Sequence, residues 1–129
     1  MVEKKKDVDT SGEGSNMMGA PMLKDGDMWI GQTPAIVSHL ARKFDMLPED
    51  PALIWVCDKC LNDCQDILAD LTRNNGSKMW DEYAEFEDMI NGRFKRWLQI
   101  LEANMAKYGS GGFFCGSKIS YADLMLVAF

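Results

Sequence analysis

Three places in this sequence hold side chains whose types and spacing could do chemistry: Gln32-Thr33-Pro34, the trio Cys57, Cys60 and Cys64, and His39. At the first, threonine before proline predicts a helix start. Thr33 is expected as N-cap and Pro34 at the first helical position, where its missing N–H costs nothing. Free N–H groups from Thr33 to Ile36 and the positive end of the helix dipole suit an anion, and the Gln32 and Thr33 side chains can add hydrogen bonds to it. Pro34 removes one donor, so the site fits a carboxylate rather than a triphosphate. The plainer alternative is that Thr33 only caps its own helix.

Cys57, Cys60 and Cys64 recur at three and four residues, which puts them on one helical face. Three thiols there could hold a metal, but no fourth ligand lies close in sequence, and zinc sites usually carry Cys-x-x-Cys pairs on turns. A redox pair belongs at a helix N-terminus, whereas Cys57 is expected well inside its helix. The three are therefore expected as small core residues, with no metal bound. His39, the lone histidine, is expected near a surface face with no carboxylate in sequence reach, and is not read as catalytic.

The elements that must position these residues follow from the local pattern. Pro21-Met22-Leu23 and Met28-Trp29-Ile30 flank Lys24-Asp25-Gly26-Asp27, and an Asp-Gly pair between apolar runs predicts a tight hairpin. Ile36, Val37, Leu40, Ala41 and Phe44 give the following helix one apolar face. Residues 45–50 form a connector. Asp50-Pro51 repeats the cap-plus-proline device and opens a second helix. Its seam of Leu53, Cys57, Cys60, Cys64, Ile67 and Leu71 is suited to packing along another helix, and Gly76 is its expected stop.

A third helix is expected from about Ser77 to Tyr108. Its aromatic stripe includes Trp80, Tyr83, Phe86, Phe94 and Trp97, and Gly92 inside it suggests close packing against a neighbour. Ser120 and Asp123 form a capping box for a last helix, with Ile119 and Leu124 as its hydrophobic staple. That helix is apolar nearly all round, as a buried one would be. Residues 1–19, with Lys4-Lys5-Lys6 and a run rich in Ser, Gly and Thr, read as a flexible arm.

The chain has 129 residues, 47% of them hydrophobic, and a net charge of −6. That suffices for one modest core, and the lack of a basic stripe argues against a nucleic-acid surface. The start lacks the apolar run of a signal peptide, and no run is long enough to span a bilayer. Free thiols and a cytoplasmic location are therefore expected.

Two motifs point to a family. Ala20-Pro21-Met22-Leu23, Asp25-Gly26, Gln32-Thr33, Ala35-Ile36 and His39-Leu40-Ala41 resemble the second half of the glutathione-binding domain of glutathione transferases. Phe113-Phe114-Cys115-Gly116 followed by Ser120-Tyr121-Ala122-Asp123 resembles the family's start of a buried helix, a folding device rather than a catalytic one. The resemblance covers roughly residues 17–129. It implies an α+β, mostly α, fold: a flexible segment 1–19, a partial thioredoxin-like hairpin and helix over 20–44, and part of an all-helical domain over 45–129.

It also implies roles. The bond before Pro21 is expected to be cis, with Ala20 pairing by backbone with the cysteinyl part of glutathione. Gln32 and Thr33 would hold the γ-glutamyl carboxylate. Asp66, eight residues on from Asp58, would reach across a dimer to the partner's glutathione amino group. Gly19 stands where the family often has glutamine or asparagine.

The implied activity is conjugation of the glutathione thiolate to an electrophile, with no other cofactor, in a homodimer built through the second and third helices. The tyrosine, serine or cysteine that serves the sulfur has no counterpart in residues 1–19, and the family has further helices after the last one. The chain is thus expected to be a fragment: a weak binder, helical and prone to aggregate. A non-catalytic binding or structural module with the same fold is the alternative.

Overall fold

A computed structural model describes residues 20–76, 80 and 83–128. The N-terminal arm, and the part of the third helix expected at 77–79 and 81–82, lie outside the described residues.

Strands β1 (Met22–Asp25) and β2 (Met28–Gly31) pair antiparallel, from Asp25 opposite Met28 to Met22 opposite Gly31. Gly26 takes the turn at φ +61°, a conformation that costs a residue without Cβ little. Helix α1 (Thr33–Lys43) follows directly and lies against β2. Its cap position is Gln32 rather than Thr33, so Thr33 and Pro34 are the first two helical residues. Proline is tolerated there too, because the first-turn N–H groups have no intrahelical acceptor in any case.

Asp50 accepts a hydrogen bond from the Ala52 N–H at 2.9 Å, and a 3₁₀ turn at Pro51–Leu53 leads into α2 (Ile54–Gly76). The cap and proline act as their types predict. The third helix differs from expectation. It consists of α3 (Tyr83–Met89), a π-helical turn at Ile90–Phe94 and α4 (Lys95–Tyr108). Trp80 stands outside it, donating its indole N–H to the Leu71 carbonyl at 3.0 Å. A Cβ built on Gly92 meets nothing within 4 Å, so this glycine marks the widened turn and not a close approach.

The core forms around α2. Val56, Cys57, Cys60, Leu61, Cys64 and Ile67 are each at most 2% exposed. The seam does not follow one partner, as its regular spacing had suggested. Its first half meets the segment leading into α5 (Tyr121–Val127): the Cys57 thiol donates to Ser120 Oγ at 3.7 Å, and Tyr121 Oη donates to Asp58 at 2.6 Å. Its second half, with Ile67 and Leu71, faces Phe94, Leu98 and Leu101 across an apolar cavity of about 240 Å³. The seam to the third helix is therefore incomplete.

The capping box is present. Asp123 accepts from the Ser120 N–H and hydroxyl, both at 2.8 Å, and from the Phe114 N–H at 2.7 Å. The staple pair lies outside the core, with Ile119 46% and Leu124 45% exposed. Helix α5 buries Tyr121, Ala122 and Met125, while Val127 is 86% exposed, so it is one-sided rather than buried all round. The connector is stitched to the same region: Tyr121 N–H donates to the Met46 carbonyl at 3.1 Å, Ser117 donates to Glu49 at 2.5 Å, and Lys118 pairs with Asp45 at 3.4 Å.

Candidate functional site

The hairpin register decides which candidate residues meet. Past the last pair, Met22 opposite Gly31, one strand leads back to Pro21 and Ala20 and the other on to Gln32 and the start of α1 at Thr33. Four of the five residues singled out for binding thus lie within two residues of that last pair, at the open end of the hairpin. The Ala20–Pro21 bond is cis, as the resemblance implied.

The start of α1 at this end is uncapped. Gln32 sits at φ 70° and ψ 123°, and among the described residues no side chain bonds to the first-turn amides. The Ile36 N–H is used by the Gln32 carbonyl at 3.0 Å. By helix geometry, the N–H groups of Thr33 and Ala35 then lack intrahelical acceptors. Gln32 is exposed and Thr33 half-buried. The end of the hairpin therefore offers two backbone donors, an amide side chain and a hydroxyl at the positive end of a helix dipole, an arrangement that can take one carboxylate. The idea that Thr33 merely caps its own helix does not hold in this geometry.

Asp66 is not part of this group. It is exposed on α2, one helical turn before Asp70, and its electrostatic neighbour is Arg93 of the π turn. Arg93 Nε pairs with Asp70, to which Trp97 Nε1 also donates at 3.1 Å.

The opposite end of the hairpin holds a cluster that sequence reasoning missed. His39 Nε2 lies 2.7 Å from Asp25 Oδ2, and Lys43 Nζ lies 2.5 Å from Oδ1. The Lys43 ammonium and, after it, the His39 ring hold Asp25 below the usual carboxylate range. His39 does have a paired carboxylate, then, supplied through the turn fourteen residues away. The available signal was the four-residue spacing of His39 and Lys43, which puts two bases on the α1 face that meets the Asp-Gly turn. With no nucleophile in the cluster, it ties the hairpin to α1.

All four cysteines are free and buried. Burial, with Cys57 adjacent, pushes the Cys115 thiol up to about 12, and burial also raises Cys57. Contact with Cys64, and then burial, raises Cys60. Cys57, Cys60 and Cys115 are kept protonated in this way, contact with Cys60 lowers Cys64 instead, and the buried trio on α2 packs as its spacing predicted. Among the described residues, no group of three or more His, Cys, Asp or Glu side chains could hold a metal ion, and no helix is long and apolar enough to cross a membrane.

Residues 56–129 match the family model described as glutathione S-transferase, C-terminal domain. The chain is 33% identical over 108 residues to a glutathione S-transferase of Dirofilaria immitis, covering 82% of this chain and 50% of that protein. It is 32% identical over 108 residues to glutathione S-transferase 2 of Onchocerca volvulus, with the same two coverages. It thus spans about half the length of the curated relatives it matches. Among solved structures, a Caenorhabditis elegans glutathione S-transferase aligns with a TM-score of 0.72 at 26% identity, over 99% of this chain and 63% of that one. The structure of NaGST-2 aligns with a TM-score of 0.68 over 83% of this chain and 53% of that one, and its 23% identity supports the fold alone. With a family model matching more than half of its length, and a mostly helical α+β fold shared with these structures, the chain belongs to the glutathione S-transferase family.

Proposed function

We propose that the open end of the hairpin holds glutathione, and that the whole protein is a cytosolic glutathione transferase that conjugates the glutathione thiolate to an electrophile. Residues 20–44 act as the glutathione-binding part and 45–129 as part of the helical domain. The γ-glutamyl carboxylate lies on the Thr33 and Ala35 N–H groups, with the Gln32 amide and Thr33 hydroxyl donating to it. The backbone of Ala20 pairs with the cysteinyl residue, which fixes where the sulfur points. Asp66 accepts from the glutathione ammonium of a two-fold partner.

The observation that supports this reading most is the start of α1, without a side-chain cap among the described residues, at the same end of the hairpin as Ala20 and Pro21. An exposed helix start with unanswered donors is suited to a bound anion, and family membership makes glutathione the anion to test.

The test is a chemical-shift titration of the 129-residue chain with glutathione. Shifts should centre on Ala20, Gln32, Thr33 and Ala35. Gln32→Ala and Thr33→Ala should each weaken binding by about 1–3 kcal/mol, the range for a hydrogen bond to a charged group, and Thr33→Ser should be nearly neutral. Undiminished binding in Gln32→Ala would move the reading to a non-catalytic module of the same fold.

A further inference from the structure

Asp66 and Asp70 stand four residues apart on α2, on one face, with their β-carbons about 5–6 Å apart. One of them is heavily engaged: the Asp70 carboxylate takes the Arg93 guanidinium and the Trp97 indole N–H. The other is exposed and has no hydrogen bond or ion pair among the described residues. The nearby cation on α2, Arg73, is drawn to Glu85 at 2.9 Å. Arginine is long and forked, and a shift of one helical turn lies within the sweep of its side chain. The π turn from which Arg93 projects is itself wider than an α-turn and contains Gly92, which has open space around it.

We propose that Arg93 is a positioning residue for Asp66: paired with Asp70, it leaves the Asp66 carboxylate open to an incoming cation, and deprived of Asp70 it swings one turn along α2 and closes Asp66. Asp70 and Trp97 thus act at a distance of one helical turn, by choosing where the arginine rests. The charge of Asp66 adds to the attraction that keeps Arg93 protonated, although the contact with Asp70 contributes most. That the cation is a glutathione ammonium rests on the function proposed above; the choice of arginine partner does not.

The experiment follows the Arg93 Nε–H resonance, assigned by its disappearance in Arg93→Lys. In Asp70→Ala the resonance should stay shifted and slow to exchange, because Arg93 has moved to Asp66. In the double variant Asp66→Ala/Asp70→Ala it should fall to the position of a free arginine. A free-arginine signal already present in Asp70→Ala overturns the proposal. Asp70→Asn, equal in shape and lacking the charge, gives the same comparison should the alanine variant lose its dispersed spectrum.

Glutathione affinity supplies a second arm. Asp66→Ala and Asp70→Ala should each weaken binding about ten-fold, and adding Arg93→Gln to Asp70→Ala should restore it, an effect that a merely structural role of Asp70 would not produce. If the unaltered chain does not bind glutathione, the proposed function falls, while the Arg93 resonance still decides the exchange of partners.

Discussion

Neither four-residue strand of the hairpin buries a side chain fully, whereas the first half of α2 buries Val56, Cys57, Cys60, Leu61 and Cys64 almost completely. The two regions also treat polar groups differently. At the start of α1, first-turn donors have no side-chain cap among the described residues. At the start of α5, Asp123 answers three donors at once and the capping box is closed. The helical region spends its hydrogen-bonding capacity on holding itself together, and the hairpin keeps part of its capacity in reserve. A binding site needs unanswered donors, and such donors are tolerable only where water reaches them.

Leu61→Ala should break this contrast most severely. The residue is 1% exposed, and its truncation should cost about 2–5 kcal/mol, read from denaturant unfolding of the helical region. Asp123→Ala should come next, at about 1–3 kcal/mol, because the Phe114 and Ser120 N–H groups lose their acceptor inside the fold. If Asp123→Ala unfolded like the unaltered chain, the closed helix start would be no more committed than the open one.

The pH dependence separates the regions in another way. Asp25 has a lowered pKa in the folded state, so its pairing with Lys43 and His39 contributes stability at pH values above the ordinary carboxylate range. That contribution is lost as pH falls through the folded value. Amide exchange in β1 and β2 should accelerate below about pH 4 while α2 stays protected, and Asp25→Asn should flatten the acid dependence of the hairpin. Acid-induced opening of both regions together would show that they are not independent. The smallest effect is expected for Gly92→Ala. With space around the new methyl group, it should stabilise the third helix by about 0.5–1 kcal/mol in thermal unfolding. A loss there would mean that the π turn draws on the backbone freedom of glycine.

Much of this was readable from local chemistry. The Asp25-Gly26 turn, the Asp50-Pro51 cap, the Ser120–Asp123 box and the buried cysteine face depend on neighbours a few residues away, and all four appear in the fold. What the residues could not disclose depends on distant partners. The pairing of His39 with Asp25 needs the hairpin folded back on α1. The seam of α2 has a regular spacing, but spacing does not say that its first half meets α5 and its second half a cavity. The π turn at Ile90–Phe94 has no motif of its own in the sequence. At the site, residue types pointed to an anion at Gln32 and Thr33. Thr33, expected as the cap, lies one residue inside the helix, and Gln32 before it adopts positive φ.

The polar stitches between the connector and the segment before α5 bear on the order in which the chain folds. Ser117–Glu49 and Lys118–Asp45 join residues 68 and 73 positions apart. Each doubling of a closed loop adds only about 0.6 kcal/mol of entropic cost, but contacts this distant are seldom the first to form. Helix α2 with its neighbours can assemble from contacts nearer in sequence. Docking of α5 on α2 then draws residues 45–49 onto the segment before it. The connector that follows α1 is then expected to be pinned late.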